Sequence, residues 1–474
     1  MRLRGTGLLV AAIFLCALGA RAQAANPTSA ANPFYGSITS DPATEDVIRL
    51  SLDDAIHRGL ANNLGLKQAE YQEDAIHGQK LQALQEFLPT ISLSGVSGFH
   101  QYNLAALGFT PGFISHFPGT PPPGGFPFIT RATVTEGQIH YNQILFSGPV
   151  IAGWRAAGAA TRAAHFSTTR ARGEVVQQVA TAYLGAIAAA SEVDNAKALE
   201  QADLVALNQA REAHQAGTAS NLDELRARVQ LQAQQQLLIA AQNNLDKDLI
   251  LLKREIGLAP GQNLVLTDPA PYTDLATQTP EEVRAVALKN RQDYQNLQNT
   301  VEELRAVHAA YRSQRLPTVS FSGNYGTTTV GSVGTHGTFM AVGTLSFPIF
   351  REARLRGDEQ ASQAQLDAAN FQLEDLRGKI DQQVRSALLD VVAAGRLTEV
   401  SRSNVELATR ALSDETDRVN AGVDDNLPLV NAQATLARAQ TTLVESLYQY
   451  NLSKLALARA SGLLEQQYRV YLGR

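Results

Sequence analysis

The chain repeats itself, so whatever one half builds must be built twice. Residues 51–95 align without a gap on residues 279–323, a shift of 228 positions. That shift carries Leu60 to Leu288, Asn62 to Asn290 and Leu88-Pro89-Thr90 to Leu316-Pro317-Thr318. A second shift, of 205, carries Ala216-Gly217 to Ala421-Gly422, Asn221-Leu222 to Asn426-Leu427 and Gly257-Leu258 to Gly462-Leu463. In that register Leu231, Leu238, Leu245 and Leu252 fall on Leu436, Leu443, Tyr450 and Leu457, two series spaced by seven. So long a period marks a duplicated half rather than a solenoid.

Both halves read in one order: helix, strand, strand, very long helix, tight turn, helix. The first helices run about 52–88 and 280–316, with Asp53-Asp54 and Glu281-Glu282 at the positive end of the helix dipole. Each stops at Leu-Pro, because proline cannot continue a helix and disfavours it for the preceding residue. Pro89 and Pro317 are therefore strand-entry residues. After them, Thr90–Val96 and Thr318–Tyr325 alternate apolar with small polar residues, the period of a strand. Return strands fall at about 131–146 and 337–347. The first pair is joined by a long Pro/Gly/Phe-rich segment, Leu104–Thr130, the second by a short turn near Gly331–Gly337. Beyond them, Val150–Ala216 and Glu352–Ala421 contain no proline. As helices of 67 and 70 residues, each would extend roughly 100 Å at about 1.5 Å per residue. Val175, Val179, Ala182, Ala186, Ala189 and Val193 form a thin stripe along the first, a seam between close-packed helices. Gly217 and Gly422 cap these helices.

These spans divide the chain into a leader (1–24), an irregular N-terminal segment (25–50), a first repeat (51–258), a linker (259–278), a second repeat (279–463) and an irregular C-terminal segment (464–474). The leader has Arg2 and Arg4 ahead of an apolar core and a small-x-small site at Ala20–Ala22 or Ala22–Ala24, the pattern of a signal peptide. The only cysteine, Cys16, lies inside it, so the exported chain has no thiol chemistry. A net charge of −5 excludes the basic field of a nucleic-acid binder. Past the leader no run of 18 apolar residues exists, so no helix spans a membrane and membrane entry falls to the strands. Half of the 30 aromatic residues lie in 87–150 and 317–350, as expected where strands meet membrane interfaces.

Four strands cannot close a barrel, and open sheet edges in lipid leave amides unpaired at several kcal/mol each. Identical copies must therefore share one wall, three giving 12 strands and four giving 16. The element order, the LxLDDAIxxxLxNN opening at Leu50–Asn63, the LPT strand entries, the QILF exit at Gln143–Phe146 and the AGxxxNL hairpin tips resemble the TolC-like outer-membrane efflux protein family. The resemblance runs from about residue 48 to the end. It implies a mainly α fold with a small transmembrane β part: a homotrimeric 12-stranded outer-membrane barrel continued by a long periplasmic helical barrel, with a small mixed equatorial region. It also implies a passive exit duct set in outer-membrane lipid, joined through a periplasmic adaptor (membrane fusion) protein to an inner-membrane pump, with no cofactor.

For the hairpin tips the resemblance implies closure at rest and adaptor docking, through Gly217, Thr218, Ser220, Asn221 and Leu222 and through Gly422, Val423, Asn426 and Leu427. The same residues also suit a turn on local chemistry alone. Where some family members carry aspartates six and nine residues past the second tip glycine, this chain has Pro428 and Asn431. Asp424 and Asp425 either offer a trimer six carboxylates at the pore mouth or form an exposed acidic turn with no role, and Asp414, Asp417 and Arg418 one turn back are available for ion pairs. Enzyme readings find no support. The nine histidines are scattered without metal-ligand spacing, Ser94–Gly98 lacks the context of a nucleophile elbow, and no lysine or helix follows Gly331–Gly337. Two rival readings remain: a duct devoted to protein secretion, and an exported coiled-coil scaffold.

Overall fold

The structure, a computed structural model, describes residues 32–39, 42–114, 116, 128–218, 220–268, 273–275, 278–332, 334–421 and 426–472. The expected leader lies outside them, as do Gly422, Val423, Asp424 and Asp425. In chain order the elements are β1 (Ile48–Leu50), α1 (Leu52–Asn62), α2 (Leu64–Gln85), β2 (Thr90–Asn103), β3 (Ile129–Phe146), α3 (Gly148–Gln215), α4 (Asn221–Ile256), β4 (Leu264–Leu266), α5 (Pro280–Asn290), α6 (Gln292–Ser313), β5 (Thr318–Val330), β6 (Thr335–Ser346), α7 (Glu352–Asn420), α8 (Asn426–Ala460) and α9 (Leu464–Leu472). The chain is mainly helical with a small sheet. It divides into two compact units: Met1–Tyr71 with Phe166–Gln295 and Leu376–Arg474, and Gln72–His165 with Asn296–Asp375.

In the first unit the seam residues Val175, Val179, Ala182, Ala186 and Val193 are buried, as the 4-3 spacing predicts, while Ala189 is only half-buried. Of the heptad series, Leu231, Leu252, Leu436, Tyr450 and Leu457 are buried, and Leu238, Leu245 and Leu443 are half-buried. Tyr183 is fully enclosed, and its hydroxyl donates to Leu50 O (3.0 Å) and to Asp268 Oδ2 (2.8 Å). The same Asp268 oxygen receives the Leu52 amide at 2.7 Å, tying the start of α1 to the short parallel pair β1–β4.

The short paired strands β1 and β4 lie in the segments read as irregular (25–50) and as linker (259–278), and two larger features also differ from the sequence reading. The first helix of each half is broken, at Asn63 and at Arg291, positions related by the 228 shift; both adopt extended backbone (ψ 128 and ψ 120). At Asn63 the weak helix formers Asn62, Asn63 and Gly65 already favour a break, and at Arg291 tertiary contacts impose it. Asn63 donates its amide to Phe34 O (2.9 Å) and accepts the Leu66 amide (3.1 Å), capping α2. Arg291 grips Asp293 at 2.6 Å. Each break lies against the left-handed cap glycine of its own half. A Cβ on Gly257 would come within 3.0 Å of Asn62 Cβ, and one on Gly462 within 2.7 Å of the Arg291 nitrogen. The second difference is the C-terminal segment, which is helical rather than irregular. Leu464, Tyr468, Tyr471 and Leu472 of α9 are buried, and Tyr468 donates to Asp53 Oδ1 at 2.7 Å.

The second unit holds an antiparallel sheet ordered β2-β3-β5-β6. Helices α2 and α6 end at Gln85 and Ser313, and tight turns lead through Pro89 and Pro317 into β2 and β5. β2 and β6 are the edge strands, with no further partner strand among the described residues.

Candidate functional site: the two-faced sheet and the hairpin tip

The register decides what each face of the sheet carries. Opposite residues share a face, so the row Leu93, Ile139, Tyr325 and Phe339 runs across all four strands. These side chains are 81%, 50%, 67% and 75% exposed. Ile91, Tyr141, Phe321 and Leu345 belong to the same face. Toward the β2–β3 connection this face turns polar, where Arg131 donates to Gln101 (2.8 Å) and Ser97 meets Thr135 (2.9 Å). The other face is polar along most of its length. There Ser94 meets His140 Nε2 at 2.7 Å, Asn324 donates to Gln138 at 3.0 Å, and Thr328 donates to Glu136 at 3.4 Å. A contiguous exposed apolar band on one face of a sheet marks a surface that meets something other than water. Paired with a polar opposite face, it is the pattern of a barrel wall between lipid and an aqueous lumen.

The tip between α3 and α4 is built from cap chemistry. Gly217 takes φ +74, and a Cβ there would meet nothing, so conformation rather than crowding calls for glycine. Thr218 donates both its amide (2.9 Å) and its hydroxyl (3.0 Å) to Ala213 O. Ser220 and Asp223 form a capping box: the Asp223 amide donates to Ser220 Oγ, and the Ser220 amide donates to Asp223 Oδ2 at 3.1 Å. These bonds from Ser220, with Arg226 nearby, hold the Asp223 carboxyl below the usual aspartate range. Leu222, Leu225 and Val229 are exposed beside a cleft of about 860 Å³, whose lining includes Ala210, Ala213, Val419 and Leu429.

Of the expected tip residues, Gly217, Thr218, Ser220, Asn221 and Leu222 are brought together here. Asn426 and Leu427 open α8. Asp414, Asp417 and Arg418 are exposed on α7. Arg418 lies 3.8 Å from Glu415, a partner the sequence reading did not single out. Sequence reasoning also missed Arg211, which reaches Glu224 across the hairpin at 3.5 Å, and Asp203, which is 3% exposed. Asp203 was legible: it continues the seam spacing that leads to Leu207 and Ala210, both buried with Ala227 and Leu231. Burial pushes its carboxyl up to about 6, against the pull of a hydrogen bond with Gln230.

Two further groups in this unit are strongly displaced. Glu255, 6% exposed and with Oε2 unpartnered among the described residues, is pushed by burial up to about 8. Lys454 is fully buried, donates to Thr273 O at 3.1 Å and lies over the Tyr450 ring. Burial takes it down to about 8, against the pull of Asp274.

With this geometry in place, the relatives can be compared. The outer membrane efflux protein family profile matches residues 55–258 and 283–463. The chain belongs to that family. The alkaline protease secretion protein AprF of Pseudomonas aeruginosa is 26% identical over 311 residues, a match spanning 62% of this chain and 62% of that protein. Among solved structures, a membrane protein from Pseudomonas aeruginosa superposes with a TM-score of 0.72 at 19% identity, over 90% of this chain and 96% of that one. VceC, an outer membrane protein of Vibrio cholerae, gives 0.69 at 18% identity, over 87% and 96%. The Campylobacter jejuni CmeC outer membrane channel gives 0.70 at 15%, over 91% and 92%. At these identities the likeness to the solved structures is one of fold.

Proposed function

We propose that this protein is a passive exit duct of the Gram-negative outer membrane. Three copies would close a 12-stranded barrel and continue it as a helical tunnel into the periplasm. The observation that carries the reading is the two-faced sheet with both edges open. Its apolar band calls for lipid, its polar face for an aqueous lumen, and edge amides in lipid require partner strands. No helix among the described residues is long and apolar enough to cross a membrane, so the wall falls to the strands. β2 and β6 run antiparallel, so β6 of one copy can pair with β2 of the next around a closed ring.

Energy would come from an inner-membrane pump, reached through a periplasmic adaptor seated on the hairpin tips. Gly217, Thr218, Ser220, Asn221 and Leu222, with Gly422, Val423, Asn426 and Leu427, would form that seat. The exposed leucines beside the tip cleft support an apolar contact there. Asp414, Asp417, Arg418, Asp424 and Asp425 would set the charge of the pore mouth.

Envelope fractionation tests the reading. The full chain should resist salt and alkaline wash, need detergent for release, run as a three-copy oligomer and conduct ions across a planar bilayer. Release as a soluble monomer overturns it. A second reading, a duct for protein secretion, is favoured by the resemblance to AprF, a secretion protein by name. Under efflux, deletion raises sensitivity to toxic compounds; under secretion, deletion removes a protein from the medium and leaves that sensitivity unchanged.

A further inference from the structure

The internal duplication contains a prediction of how one copy meets the next, at the level of individual residue pairs. Moving 228 positions carries Thr90 to Thr318, and moving 204 carries Asn142 to Ser346. With these two shifts, each of the 12 pairs between β5 and β6 is the image of a pair between β2 and β3. The two hairpins are therefore the same object in the same register. They are joined within the chain by the β3–β5 ladder, in which Glu136 faces Thr328 and His140 faces Asn324. The outer strand of the second hairpin, β6, is the image of β3, and the free edge of the first, β2, is the image of β5.

Resting on the closed-ring reading above, we infer that β6 of one copy pairs with β2 of the next in the image of the β3–β5 ladder. Met340 then faces His100 of the neighbouring copy, Val342 faces Gly98, and Thr344 faces Val96. The faces agree: Phe339, Ala341, Gly343 and Leu345 of the apolar band meet Gln101, Phe99, Ser97 and Gly95. Three of these four contacts set a small residue beside a larger or similar one, which lets the band close without crowding. A slip of one residue would instead turn the apolar side chains into the polar face.

An independent observation supports this register. Inside the chain, Gly326 is crowded by β3: a Cβ on it would collide with Gly137 O and fall 2.7 Å from Gln138 Cα. Its image is Gly98, also a glycine, on the open edge. Within the chain a Cβ on Gly98 would meet only the His100 ring, the nearest atom at 3.0 Å. Among the described residues no backbone atom crowds it. In the inferred ladder Val342 stands where Gln138 stands, and a neighbour's strand supplies the close approach that Gly326 already experiences.

The only cysteine, Cys16, lies in the expected leader, so disulfide trapping has a clean background. Four full-length double variants are compared under mild oxidation in the membrane: M340C/H100C and T344C/V96C, which the register aligns, and M340C/V96C and T344C/H100C, which use the same four positions out of register. Aligned cysteines have Cβ atoms about 4.5–5.5 Å apart, close to disulfide geometry. Those displaced by four residues are about 13 Å apart along the strands. The aligned pairs should give at least tenfold more covalent two- and three-copy product than the recombined pairs. Since every cysteine occurs in one pair of each kind, a folding defect cannot mimic that contrast. Equal yields, or excess product from a recombined pair, in a preparation that still runs as a detergent-resistant oligomer overturn the register and leave the channel reading standing. Absence of any oligomer in the unsubstituted protein overturns the channel reading itself, and the register with it.

Discussion

The two halves make the same junction between first helix, strand and long helix, and they hold it with different chemistry. In the first half Phe87 meets Trp154 edge-on at 6.2 Å, and the Lys80 ammonium lies 5.5 Å from the Trp154 ring. In the second half the position matching Phe87 is Arg315, which holds Glu359 at 2.8 Å and Glu352 at 3.3 Å; Arg312 lies 3.6 Å from Glu359, and Arg356 lies 2.7 Å from Glu352. The aromatic junction gains from burial and ring geometry, terms that salt does not screen. The ionic one is exposed, screened and weak pair by pair. The return helices diverge in the same manner. Glu255 of α4 is matched by Ala460 in α8, and Lys454 of α8 by Leu249 in α4. Duplication kept the backbone while each half found its own side-chain solution, with an uncompensated buried acid on one side and a buried base on the other.

The largest expected effect is on pH dependence. Glu255 has its carboxyl raised to about 8, so the stability contributed by its neutral form is full below about 4.5 and is lost as pH rises through 8. Lys454 is depressed to about 8, so its contribution is present above about 10.5 and lost as pH falls through 8. Together these two groups place a minimum of thermal stability near pH 8. E255Q should remove the acid-side slope, raising stability at pH 9 by on the order of a few kcal/mol, while K454Q should remove the alkaline-side recovery. Melting of the detergent-solubilised protein from pH 4 to pH 10 measures both. A flat profile in the unsubstituted chain contradicts the asymmetry between the return helices.

Next in size is W154A, expected to destabilise by about 2 kcal/mol through lost burial and ring contact. The loss should be the same at low and high salt, and a strongly salt-dependent loss would contradict the aromatic account of this junction. Replacing the tip glycine, G217A, forces a side chain into left-handed backbone at about 1 kcal/mol and should weaken adaptor binding before it lowers the melting temperature. R315Q is the mildest. Its loss should be smaller than that of W154A and should vanish in molar salt. It should also fade on acidification: Arg356 and Arg315 hold the Glu352 carboxyl below its ordinary value, so that contribution is present above the usual glutamate range and lost below it.

Much of this architecture was legible in the order of residues. The duplication, the proline-marked strand entries, the alternation within strands and the seam of small residues each report a local periodicity that the fold keeps. The turn at Gly217 was legible for the same reason, since its conformation is demanded by the chain itself. The break at Arg291 was not, because tertiary contact with the cap glycine of another helix imposes it; the break at Asn63 had a local sign in Asn62-Asn63 and Gly65, weak helix formers with a good N-cap, and contact with Phe34 completes it. Helix α9 was legible and was missed: Leu464, Tyr468, Tyr471 and Leu472 recur at helical spacing, and only its hold, from Asp53 and Arg172 distant in sequence, is hidden from local reading. Glu255 and Lys454 belong to the same class, since a single ionisable residue in a helix carries no sign that its neighbours will enclose it. The polar-face pairs of the sheet, such as Ser94 with His140, became visible only once the register was known.

An open edge on either side of each sheet has a genetic consequence. If copies share one wall as proposed, a copy damaged along β6 alone still presents an intact β2, so sound neighbours would accept it and the ring would then fail to seal. When damaged and sound copies are made together, channels should disappear faster than damaged copies accumulate, and a single altered allele should behave as dominant.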